Sequence, residues 1–146
     1  MLSFVLRVRL CTADIDGDVE AITYTQFLNE DGMMEADVTV CKLEWDKFLV
    51  IATDTMHRHV GSWLHQHLDP LGCKHVHSSD VTGGYAQLNI QGPLSRQLLQ
   101  RLTDTDMSHE AFPFRAAKNL FIGYAPIVCA RITYVSALLG HMNMQS

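Results

Sequence analysis

The chain has 146 residues, of which 47% are apolar and 18% charged, enough apolar side chain for a packed core. Eleven Lys and Arg against sixteen Asp and Glu give a net charge of -5, and the basic residues stand singly, so the basic patch of a nucleic-acid binder is missing. No apolar run approaches the ~20 residues of a membrane helix, which leaves a globular chain with neither nucleic acid nor membrane as its partner.

In chain order, MLSFVLRVRL (1–10) lacks a small-residue cleavage site and reads as a strand or a remnant of helix, not a signal peptide. Tyr24 to Leu43 reads strand, turn, strand. Asn29-Glu30-Asp31-Gly32 supplies the turn, since Asp bonds its own backbone and Gly accepts positive φ, and Val38, Val40 and Leu43 suit a half-buried pleated surface. Asp37 stands at the mouth of the second strand, either as a solvated strand-end residue or as a functional carboxylate. Lys47 to Thr53 is a branched apolar run, a strand. Thr53 or Asp54 then caps a helix whose apolar positions Met56, Val60, Trp63, Leu64 and Leu68 recur at three- and four-residue steps. Cys73 to Ser79 and Tyr85 to Gln91 alternate as strands around Gly83-Gly84. Gly92-Pro93 opens a second helix, with Leu94, Leu98, Leu99 and Leu102 as its buried stripe. Phe112-Pro113-Phe114 tacks the following loop onto the core, and Ile127 to Val135 forms a strand paired with Leu120 to Gly123.

From Lys47 the order is strand, helix, strand, strand, helix, strand. This predicts an α+β fold, a ferredoxin-like split β-α-β antiparallel sheet with two helices on one face.

The candidate chemistry narrows by elimination. Histidines 65, 67, 75 and 77 invite a metal, but residues two apart on a helix point about 200° apart, and the ligand spacings of structural zinc are absent. No metal is expected, and these histidines, with His57 and His59, read as solvated surface. The cysteines at 11, 41, 73 and 129 have no C-x-x-C spacing and read as buried free thiols. No Gly-x-Ser-x-Gly elbow and no Lys-bearing phosphate loop occur. Asp37 is left as the best chemical candidate.

Four stretches carry a resemblance in order and spacing: YTQFLNEDG followed by EADVTV from Tyr24, LNIQGPLSRQLLQRLT from Leu88, MSHEAFPF from Met107 and ARITYV from Ala130. Together they resemble the folate-binding aminomethyltransferase domain of the glycine cleavage T-protein, also found at the C-terminus of sarcosine and dimethylglycine dehydrogenases. The wording from Ser108 to Phe114 is closest to the sarcosine dehydrogenase branch. The resemblance implies tetrahydrofolate as cofactor, a methylated amine (sarcosine or dimethylglycine) as substrate and the mitochondrial matrix as location, with FAD confined to a separate domain that nothing here resembles. It implies that Asp37 sits beside the folate nitrogens and stabilises a cationic one-carbon donor. Tyr24 and Tyr134 match positions that line the folate cavity, with core packing as the other reading of each.

The resemblance covers about residues 10 to 135. Ser136-Ala137 stand where the family has Gly-Glu, whose Glu binds the pterin, and Thr53 stands where the T-protein has an Asn. The expectation is therefore a partial domain with a divergent end at 136–146, a fragment or short isoform that is inactive alone and self-associates through exposed strand edges. The competing expectation is a non-catalytic interaction module like the regulatory subunit of pyruvate dehydrogenase phosphatase.

Overall fold

A computed structural model describes residues 11–68, 76–132 and 137–143. The chain divides into two compact units, Met1–Asp80 and Val81–Ser146. Each has its own apolar core.

The first unit is a three-stranded antiparallel sheet in the order β1-β2-β3, formed by Ile22–Leu28, Met34–Glu44 and Lys47–Ala52, and a helix α1, His57–Leu68. Strand β2 is central, and its middle, Val40-Cys41-Lys42, is buried. Residues opposite one another on paired antiparallel strands share a face, so the register sorts the side chains in two sets. Phe27, Ala36, Val38, Val40, Val50 and Ala52 point to the face that packs against Val60, Leu64 and Leu68 of α1. The three- and four-residue spacing of those helical residues is the apolar stripe the sequence predicts.

Two features of the helix differ from expectation. Thr53 makes no side-chain cap bond, because a 3-10 turn at Asp54–Met56 leads into the helix instead. Of the histidines expected to be solvated, His59 Nε2 lies 2.9 Å from Glu35 Oε2 on β2, and His67 Nδ1 lies 2.8 Å from the Trp63 carbonyl oxygen. Both rings flank the Trp63 indole, at 5.9 and 4.6 Å between centroids.

The second unit is a four-stranded antiparallel sheet in the order β4-β7-β6-β5, from Tyr85–Gln91, Ala137–Asn143, Ala125–Ile132 and Ala117–Ile122, with a short helix α2, Ser95–Gln100. The α+β class, the antiparallel sheets and the two helices are as the sequence predicts. The strands after Lys47, however, are divided between two sheets. Residues 76–79 carry no strand, and the start of the predicted Cys73–Ser79 strand lies outside the described residues. Strand β7 falls beyond the stretch that carries the resemblance, yet it is central, paired to β4 and β6.

The predicted leucine stripe is corrected. The helix begins two residues after Pro93, and Leu94, Leu98 and Leu102 are 64%, 50% and 46% exposed, while Leu99 is buried. Six helical residues make under two turns, so a stripe recurring every four residues runs past both ends of the helix. Leu99 instead joins Met107, Phe112, Ala116, Leu120, Ile127 and Cys129 in the core. Phe112 does tack the loop down, whereas Phe114 is half exposed. The Gln100 side chain holds that loop from within, its Oε1 accepting from Met107 N at 2.8 Å and its Nε2 donating to Thr105 O at 3.1 Å.

Candidate functional site

The site is built on the β1–β2 hairpin. Its turn is fixed by Asn29, whose Oδ1 accepts from the backbone N–H groups of Asp31 (3.1 Å) and Met33 (2.9 Å), and by Gly32 at φ 76°. That is the Asx-type chemistry and positive φ for which the sequence selects these residues. The turn aligns Tyr24 with Thr39 and Gln26 with Asp37.

Pleating then does the sorting. Tyr24, Gln26, Asp37 and Thr39 all lie on the face opposite α1, and Tyr24 and Asp37 are diagonal neighbours on adjacent strands. Asp37 lies three residues inside β2 rather than at its mouth, flanked by buried Ala36 and Val38 and itself exposed. Tyr24 is half-buried. Gln26 Nε2 donates to Asp37 Oδ1 at 3.3 Å. The structure thus brings two of the three expected residues to one patch, while Tyr134 lies outside the described residues.

Sequence reasoning missed the polar residues behind Asp37. Segment 11–13 runs along the outer edge of β1: Cys11 bridges to Phe27, and Thr12 N donates to Gln26 O at 3.2 Å. Thr12 Oγ1 donates to Gln26 Oε1 at 3.0 Å, and the fully buried Thr25 Oγ1 accepts from Ala13 N at 3.1 Å. Thr25 on a core-facing position was the legible signal, since a buried hydroxyl requires a partner.

Elsewhere the chemistry is sparse. Among the described residues no three His, Cys, Asp or Glu converge on a metal position, and His75 lies outside them. No helix among them is long and apolar enough to cross a membrane. Cys11, Cys41 and Cys129 are free thiols, and burial pushes them up to about 11, 12 and 12, the Cys11 shift partly offset by a hydrogen bond with Thr25. Cys73 lies outside the described residues. In the second unit, a groove of about 510 Å3 runs between the end of α2 and β5, lined by Arg101, Thr103, Asp104, Asn119 and Phe121. None of the expected site residues lines it.

The fold is similar to that of the glycine cleavage system aminomethyltransferase T from Bartonella henselae, with a TM-score of 0.72 at 14% identity, covering 97% of this chain and 36% of that one. In sequence, the chain is 30% identical over 144 residues to mitochondrial sarcosine dehydrogenase of Homo sapiens, covering 88% of this chain and 15% of that protein. It is 31% identical over 112 residues to the mitochondrial pyruvate dehydrogenase phosphatase regulatory subunit of Mus musculus, covering 77% of this chain and 12% of that protein. The chain therefore spans a small part of the length of these relatives. Residues 5–139 match the family model described as the GCVT N-terminal domain, and the chain belongs to that family.

Proposed function

We propose that this chain is the folate-binding part of a sarcosine-dehydrogenase-like enzyme, in which a one-carbon unit passes from a methylated amine, sarcosine or dimethylglycine, to tetrahydrofolate. The observation that carries the reading is the patch on β1–β2, where an exposed carboxylate stands diagonal to a tyrosine on the sheet face that α1 leaves uncovered. The donor set fits a reduced pterin. An ionised carboxylate only accepts hydrogen bonds, the pterin edge offers N–H donors, and the half-buried Tyr24, whose hydroxyl oxygen is buried, offers part of its aromatic ring.

Tetrahydrofolate, when bound, supplies the amine nitrogens that take up the one-carbon unit. Asp37 accepts an N–H from the ligand and its negative charge favours the cationic form of the carbon donor. Tyr24 bounds the same patch. Oxidation of the amine belongs to a separate flavin domain, and the mitochondrial matrix is the compartment of the reaction, in keeping with the mitochondrial relatives. The chain alone is expected to give no transfer, since both substrates must be held together for the step.

A second reading is favoured by the likeness to the phosphatase regulatory subunit: a regulatory module that keeps the fold without the reaction. Isothermal calorimetry with tetrahydrofolate separates the two. Binding that weakens about tenfold in Asp37→Asn supports the folate reading. No heat of binding from a chain that still melts cooperatively supports the regulatory one.

A further inference from the structure

We infer that Gln26 and Thr12 are positioning residues for Asp37, forming a hydrogen-bonded relay that fixes the carboxylate at the ligand-facing surface; this rests on the folate reading for its purpose but not for its existence. Asp37 is exposed while its face-mates Thr39 and Cys41 are increasingly buried, and an exposed carboxylate has free rotation about χ1 and χ2 that it would lose on meeting a ligand. The relay removes the freedom beforehand.

The polarity of the relay follows from what each group can do. An ionised Asp37 can only accept, so the amide nitrogen of Gln26 must face it, and the Nε2 to Oδ1 distance is 3.3 Å. The amide oxygen then points the other way, where it needs a donor. Thr12 supplies one, its hydroxyl donating to Gln26 Oε1 at 3.0 Å. Thr12 is itself held from two sides: its Oγ1 accepts from the backbone N–H of Gln26 at 3.3 Å and lies 3.3 Å from Thr25 Oγ1, which is fully buried and accepts from Ala13 N at 3.1 Å. The sequence of contacts thus runs from a buried anchor, Thr25, through an edge residue, Thr12, and a strand side chain, Gln26, to the exposed carboxylate. A flipped Gln26 amide would set its oxygen against the acceptor-only carboxylate, so one amide orientation satisfies both partners.

The backbone supports the same arrangement. Gln26 is the cross-strand partner of Asp37, and Thr12 N donates to Gln26 O at 3.2 Å, so the bridged segment at Cys11–Thr12 and the two strands β1 and β2 hold the three side chains in line. Leaving the second Asp37 oxygen out of the relay keeps a full acceptor for a ligand N–H.

The test uses the whole chain. Nitrogen-15 NMR of the Gln26 side-chain amide is expected to show its two protons at separated shifts that move in Asp37→Asn and in Thr12→Val and return in Thr12→Ser, which restores the hydroxyl. Calorimetry with tetrahydrofolate is expected to give about three- to tenfold weaker binding for Gln26→Leu, and no further loss when Gln26→Leu is added to Asp37→Asn. A Gln26 amide indifferent to Asp37→Asn and Thr12→Val, or an equal loss from Gln26→Leu with and without Asp37→Asn, overturns the relay. If the amide responds as expected while the unsubstituted chain gives no heat with tetrahydrofolate, the relay stands and the folate reading alone falls.

Discussion

Cys41 and Cys129 are enclosed so completely that their thiols are pushed up to about 12, against about 9 when exposed. The sign of the pH effect follows. Between those values the unfolded chain has released the proton and the native one has kept it, so the native state binds more protons and stability falls as pH rises from about 9. Urea melts should show a loss on the order of 1 kcal/mol per thiol between pH 8 and pH 10, and a flat profile would contradict the burial. Side chains in the second unit give a sharper contrast. Leu99→Ala should cost about 2–5 kcal/mol and Leu98→Ala about 0.5, because one is 2% and the other 50% exposed. Asp37→Asn should leave the unfolding free energy from urea melts within about 0.5 kcal/mol while weakening tetrahydrofolate binding, which separates a ligand role from a folding one. That Asp37 follows the turn and belongs to the second strand was legible in the sequence. Its partners were not, since Thr12 lies 14 residues from Gln26 and only the folded edge of β1 brings them together.

The β1–β2 hairpin shows what local chemistry dictates. Asn29 and Gly32 announce the turn because their own side-chain and backbone needs, an Asx bond and a positive φ of 76°, are settled within five residues. Gly32→Ala should cost about 1–2 kcal/mol in a urea melt through that φ alone, as a Cβ there meets no atom within 4 Å. The helix α1 was legible for a similar reason, its apolar stripe recurring over twelve residues. The leucines around α2 misled because periodicity reports which residues could share a helical face, not how long the helix is. Strand β7 was illegible altogether. Its pairing with β4 joins residues some fifty apart, and Gly140 at its centre breaks the alternation that would mark a strand.

At the scale of the whole chain, the two cores are unequal in what they leave uncovered. The second unit exposes Leu88, Leu94, Leu98, Leu102, Phe121 and Tyr124, each by more than two fifths. Apolar surface of that extent favours association. Sedimentation velocity should show a concentration-dependent rise in mass that Leu94→Glu with Leu98→Glu suppresses; a monomer at all concentrations would show that these leucines are harmless. The first unit holds the candidate site within a single hairpin, and that economy has an evolutionary consequence. Strand β2 already holds one odd residue, Glu35, because Phe27 pairs with Ala36 but Leu28 with Met34; beyond that bulge alternation is strict, so one residue gained or lost between Ala36 and Val40 would swing a side chain to the wrong face of the sheet. Lineages of this hairpin should therefore vary in length on the turn side of the bulge, where a single residue is absorbed, and keep a fixed count from Ala36 onward, as a reading frame is kept downstream of its start.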